Sequence, residues 1–354
     1  MSRVLPIRQR LILLMLTLWG ILQEGFGQVL RQLIRRTKFD DSGSSLYAYL
    51  VIDNQQLYVI VDTGSAELTA IWKDWYDQVP FTIGCSNLQV GCYACPLGCD
   101  SSQTSIFRYG LKEVDVFPWH GTLQLGHNFV GSVDFALIKD QRPPPPSRPA
   151  GNILGLAPNS HGQYPSVMAQ LHRQSKVSSL TFAIHLGRPP AGSFESNGEL
   201  LLGGGDEALY VKPLRFVGDG AFLHAINHDL LIDTGTNFLI APRQYRDFLV
   251  KEIEFQASRR ARTAVRIVWN PNFKEYVFDC AYAVHLPTIT FTLGSGDVPL
   301  TIHPAAYSNE ITNTCWIAIT PSCDNSWILP DKTLFGNYLE FQPQNARVGI
   351  AKLK

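Results

Sequence analysis

Val59-Ile60-Val61-Asp62-Thr63-Gly64-Ser65 and Leu230-Leu231-Ile232-Asp233-Thr234-Gly235-Thr236 are two copies of one pattern in a chain of 354 residues. Each begins with an apolar, β-branched run that reads as a buried strand. Each then delivers an Asp, a Thr, a Gly and a second hydroxyl residue. A lone Asp-Thr-Gly reads as a turn with a surface Asp. Two copies, each behind an apolar run and each followed by a hydroxyl, need a common cause. A further repeat follows in the same order: Ile153-Leu154-Gly155 and Leu334-Phe335-Gly336. This is the signature of two related lobes.

The residue types suit one chemistry. Peptide hydrolysis needs a nucleophile and a proton donor for the leaving amine. Two carboxyl groups held face to face supply both, because like charges at contact cannot both ionise and the pair keeps one proton. The ionised member takes a proton from water and the protonated member polarises the carbonyl. Asp62 and Asp233 are the candidates. Thr63 and Thr234 are placed to hydrogen-bond into the opposite loop and lock it. Gly64 and Gly235 allow a turn, and the close approach of a substrate, that a Cβ would block. Ser65 and Thr236 set a hydroxyl beside each carboxylate.

The remaining sequence is consistent with an exported, strand-rich protein. Length suits two cores rather than one. Apolar residues make up 45% and charged residues 17%, which excludes disorder. Thirty basic residues balance thirty acidic ones, so there is no basic field for nucleic acid. Arg3, Arg8 and Arg10 precede an apolar run from Leu11 to Leu22, with Gly25 and Gly27 after it. That is a signal-peptide layout over residues 1–27, with no later membrane span expected. Residues 28–45, with the basic run RQLIRRTK, read as a short leader or prosegment remnant. Cys85, Cys92, Cys95 and Cys99 form a cluster whose spacing fits zinc poorly and fits two local disulfides in any of three pairings. Cys280, Cys315 and Cys323 complete an odd set of seven.

Strands are expected at 46–52, 57–61, 182–186, 276–278, 288–293, 315–320 and 347–351. Residues 106–109 and 121–126 read as the arms of a hairpin. Helical spacing marks 166–176 and 243–255. The run Arg142 to Pro149 (RPPPPSRP) is an exposed loop, since proline lacks an N–H.

These motifs resemble the pepsin-like aspartic proteases, from about Leu46 to Ala351. Asp62-Thr63-Gly64-Ser65 and Asp233-Thr234-Gly235-Thr236 match the two catalytic loops. Ile153-Leu154-Gly155 and Leu334-Phe335-Gly336 match the apolar-Gly segments beneath them. Tyr109-Gly110 falls where the family carries the tyrosine of its flap. The resemblance implies a mainly all-β, bilobal fold with a few short helices, an N-terminal lobe at 46–208 and a C-terminal lobe at 209–354. It implies a disulfide between Cys280 and Cys315 and a peptide cleft touching Gly64, Ser65, Tyr109, Gly235 and Thr236. It also implies an acid pH range, no metal or cofactor, peptide or protein substrates, a monomer, and a secreted or lysosomal setting. The chain departs from the family pattern in several places. Leu111 to Val114 follow the flap tyrosine where small residues are usual. Thr69 stands where a Trp is usual, with Trp72 nearby. Asn152 and Asn337 stand where Asp is common, and the stretch from Gly336 to Gly349 reads as short. A protease-like protein that binds peptides but cuts weakly is the second expectation. A third expectation, an actin-like or sugar-kinase phosphotransferase, has the export signal, the cysteine loop and the missing phosphate-binding glycines against it.

Overall fold

The structure, a computed structural model, describes residues 29–354 except 41–42, 127, 159–163, 191–192, 194, 218–221, 226–227, 295–297, 312–313 and 323–325. The expected signal peptide and Cys323 lie outside these residues.

The first lobe is built from β1 (Leu30–Asp40), β2 (Gly43–Ile52), β3 (Gln55–Asp62), β4 (Leu68–Ile71) and the short α1 (Lys73–Tyr76). It continues with β5 (Ser105–Tyr109), β6 (Lys112–Leu125), β7 (Asn128–Arg142), β8 (Asn152–Gly155), α2 (Val167–Arg173), β9 (Phe182–Leu186) and β10 (Ser196–Leu202). These strands form one large sheet. Along β3, Leu57, Val59 and Val61 are buried while Gln56 and Tyr58 are exposed, the period of two that fixes a strand's register. β3 runs antiparallel to β2, with Tyr47 opposite Ile60, and parallel to β8, with Asp62 opposite Gly155.

The second lobe opens with β11 (Arg215–Val217), β12 (Phe222–Ala225), β13 (His228–Ile232) and β14 (Leu239–Pro242). Next come α3 (Arg243–Ala261), β15 (Val268–Asn270), β16 (Glu275–Phe278), β17 (Ile289–Leu293) and β18 (Val298–Ile302). It ends with α4 (Pro304–Tyr307), β19 (Ser308–Ile311), β20 (Thr314–Ile317), β21 (Ile319–Ser322), β22 (Trp327–Leu329), β23 (Asn337–Gln342) and β24 (Arg347–Lys352). β13 repeats the setting of β3, antiparallel to β12 and parallel to β22, with Ile232 opposite Leu329. β23 and β24 leave this lobe and join the large sheet by pairing β23 with β9.

Three sequence expectations are corrected here. First, the N-terminal lobe takes in residues 30–40, expected ahead of its start at 46, as β1, hydrogen-bonded between β10 and β2. Leu30, Gln32, Ile34 and Arg36 point inward, while Arg31, Leu33 and Arg35 point outward. The basic composition conceals a strand's alternation. Arg31 and Arg35 pair with Glu199 and Glu195 on the surface, and Arg36 Nε donates to Asp331 at 2.8 Å in the interior. Second, the hairpin arm facing β5 is residues 112–116, not 121–126. Residues 121–125 are the far end of the same long β6, where Leu123 to Leu125 also pair with β2.

Third, the parallel partner of β13 fixes the counterpart of Ile153-Leu154-Gly155 as Ile328-Leu329-Pro330, with proline in the glycine's place. Leu334-Phe335-Gly336 instead closes a 3-10 turn and leads into β23. The counterpart therefore starts six residues earlier, which lengthens the stretch up to Gly349 by as much. In the first lobe a Cβ at Gly155 would lie 2.5 Å from the Ala66 carbonyl carbon and the Glu67 nitrogen. Its N–H donates to Glu67 O at 3.0 Å, a bond that Pro330 cannot make.

The two Asn departures have a local reason. Asn152 is fully buried. Its Oδ1 accepts from Ile71 N–H, and its Nδ2 faces the carbonyls of Tyr58, Val90 and Gly91. Asn337 Nδ2 donates to Thr301 O and Thr333 O. A carboxylate has no hydrogen to give those carbonyls.

Candidate active site

β3 and β13 end at the boundary between the lobes, and their two loops meet there. Thr63 Oγ1 donates to Ile232 O at 2.6 Å and accepts from Thr234 N–H at 3.1 Å. Thr234 Oγ1 donates to Val61 O at 2.6 Å and accepts from Thr63 N–H at 3.1 Å. Both threonines are buried. Each hydroxyl thus spans the lobe boundary with one donated and one accepted bond. An unmade bond at such a depth costs about 1–3 kcal/mol, so neither loop shifts without disturbing the other.

The carboxyl groups sit just above this lock. Asp62 Oδ1 accepts from Gly64 N–H at 2.8 Å and its Oδ2 from Ser65 Oγ at 2.6 Å. Asp233 Oδ1 accepts from Gly235 N–H at 2.9 Å and its Oδ2 from Thr236 Oγ1 at 2.9 Å. The glycines show how close the two lie. A Cβ at Gly64 would fall 2.7 Å from Asp233 Oδ1, and one at Gly235 would fall 2.6 Å from Asp62 Oδ1. Each Asp therefore rests against the glycine of the other lobe's loop.

Burial first, and then the facing Asp62 carboxyl, push Asp233 up from the ordinary carboxyl range to about 7. Its bonds from Thr236 and Gly235 pull the other way. A carboxyl group so placed holds its proton to a higher pH than an exposed one.

The family model for eukaryotic aspartyl proteases matches residues 51–218 and again 215–353. The chain belongs to that family. Gastricsin of Cavia porcellus is 28% identical to this aspartyl protease over 320 residues, covering 77% of this chain and 76% of that protein. Pepsin B of Canis lupus familiaris is 24% identical over 282 residues, covering 71% and 67%. Cathepsin D of Clupea harengus is 27% identical over 226 residues, covering 56% and 53%.

In this aspartyl protease Tyr109 ends β5, one residue before Gly110, which takes a φ of +58°. It packs against a buried cluster of Val114, Val116, Ala136, Ile138 and Tyr164, which Trp75 and Phe107 also cover. Burial raises the pKa of its phenol, and the charges of Glu67 and Asp62 reinforce the shift. Thr69 is its polar neighbour, yet neither hydroxyl makes a hydrogen bond of good geometry. Trp72 does not support the tyrosine; it stands edge-on to Phe117 at 5.2 Å. Trp75 is the tryptophan in the tyrosine's own cluster, and sequence reading passed it over. Its place in that cluster comes from α1, a four-residue turn packed on β7 with no helical period to read.

The cysteine cluster pairs in chain order, Cys85 with Cys92 and Cys95 with Cys99. Cys280 bonds to Cys315. Glu310 lies close enough to those two sulfurs to suggest a metal site, but the disulfide already uses both. Asp331, Lys332 and Thr333 are all buried.

Proposed function

We propose that the chain is an aspartic endopeptidase in which Asp62 and Asp233 share one proton and activate a water between them. The ionised carboxylate accepts the water's proton as its oxygen attacks the scissile carbonyl. The protonated partner polarises that carbonyl and then gives its proton to the leaving amine. No covalent intermediate forms. Gly64, Ser65, Gly235 and Thr236 line the floor of a cleft that takes an extended peptide, and Tyr109 covers it from the first lobe.

The reading rests on one observation, the reciprocal seating of each Asp against the opposite glycine. That arrangement leaves no room for two full negative charges and every reason to hold a single proton. It favours work at acid to neutral pH, where the proton is kept. Three disulfides support an oxidising, exported or lumenal setting. Both loops come from one chain, so a monomer suffices.

Purified protein incubated with denatured globin between pH 3 and pH 7, with and without pepstatin, tests the proposal. Cleavage that pepstatin blocks and Asp62→Asn abolishes is the expected result. Pepstatin binding without any cleavage would overturn it in favour of a peptide-binding relative.

A further inference from the structure

The second lobe presents a surface that is both basic and apolar. Residues 243–274 hold eight Arg and Lys against three Asp and Glu, a surplus of five in a chain of zero net charge. Apolar exposure is concentrated in the same place. Of the fifteen large apolar side chains exposed among the described residues, five fall within residues 248–273. An even spread would put one or two there.

The helix explains how they align. α3 buries Val250, Ile253 and Ala257 on one side. On the opposite side Phe248, Lys251, Phe255 and Arg259 follow at intervals of three and four, so they form one stripe. Phe248 is 67% exposed and Phe255 55%. The Arg259 guanidinium lies over the Phe255 ring at 5.8 Å.

The β15–β16 hairpin lies against this helix and extends the stripe sideways with Val268, Trp269 and, at its turn, Phe273, all three exposed. It is fixed there by three contacts. Tyr276 donates its hydroxyl to Asp247 at 2.9 Å. Ile267 N–H donates to Glu254 at 2.6 Å. The Arg246 guanidinium packs on the Trp269 and Tyr276 rings at 5.1 and 4.9 Å. Two of the three acidic groups are thus occupied within the surface, and the third, Glu252, accepts from Gln256.

A soluble polyanion would be held by the cations alone and gains nothing from exposed phenylalanines. A lipid surface rewards both: rings enter the headgroup layer while Arg and Lys meet anionic headgroups. We propose that α3 and the β15–β16 hairpin dock the protein on an anionic lipid surface, with Phe248, Phe255 and Trp269 inserted. The protein lies on the bilayer by this face; no helix among the described residues is long and apolar enough to cross it.

Sedimentation of the full chain with phosphatidylcholine vesicles, and with vesicles containing about one-third phosphatidylserine, tests this. Binding to the anionic vesicles should exceed binding to the neutral ones by about tenfold or more and should fall with added salt. The double variant Phe248→Ser and Phe255→Ser should lose about tenfold of vesicle binding. It should keep its thermal midpoint and its retention on a heparin column. Arg259→Glu should weaken both kinds of binding. Absence of binding to anionic vesicles overturns the proposal. So does vesicle binding that the double variant leaves intact, because the surface would then be a charge patch for soluble polyanions.

Discussion

At the residue scale the carboxyl pair sets the first expectations. Asp233 keeps its proton up to about pH 7 in the folded chain, but releases it near pH 4 when unfolded. Between those limits the native state binds more protons, so stability falls as pH rises through the window. Asp233→Asn removes that burden. It should abolish cleavage and raise stability at pH 7.5 by about 1–3 kcal/mol, with little gain at pH 3. Paired denaturation curves at the two pH values check it. For the parent protein, cleavage should decline as pH rises through about 7, where the shared proton leaves. Gly235→Ala puts a methyl 2.6 Å from Asp62 Oδ1. It should cost turnover far more than stability, which a kcat measured beside a melting curve would separate. Tyr109→Phe removes a buried hydroxyl that has no good hydrogen bond, so stability should change by less than about 0.5 kcal/mol.

At the element scale β1 carries the sharpest expectation. Arg36 and Asp331 are both buried, and their ion pair ties this strand to the turn after β22. Arg36→Met leaves the Asp331 carboxyl buried without that partner and should cost about 3–5 kcal/mol. Adding Asp331→Leu should recover most of the loss, since paired apolar side chains replace a buried ion pair at little cost. Urea denaturation of the single and double variants decides the point. The same strand shows where sequence reading stops. The two Asp-Thr-Gly loops were legible because their pattern is local and repeated. β1 was not, because five of its eleven residues are Arg, Lys or Asp and the charges drew more notice than the alternation. Ile328-Leu329-Pro330 does not read as the counterpart of Ile153-Leu154-Gly155, because proline stands where the pattern has glycine. Trp75 had no local pattern to find. What escaped in each case is a partner distant in sequence, which only the fold supplies.

At the scale of the whole molecule the thirteen-stranded sheet carries strands from both ends of the chain. The Thr63 and Thr234 bonds cross between lobes, so opening the lobe boundary dismantles the carboxyl pair. Heating should therefore extinguish peptide cleavage no later than the near-ultraviolet signature of tertiary packing; activity and circular dichroism followed on one temperature ramp measure this. The sheet also bears on biosynthesis. β9 lies between β10 and β23, so one of its edges stays bare until residues 338–341 arrive. A nascent chain leaves the ribosome N-terminus first. The lobe made earlier must wait, with that edge open to mispairing, until residues 338–341 of the later one have been synthesised.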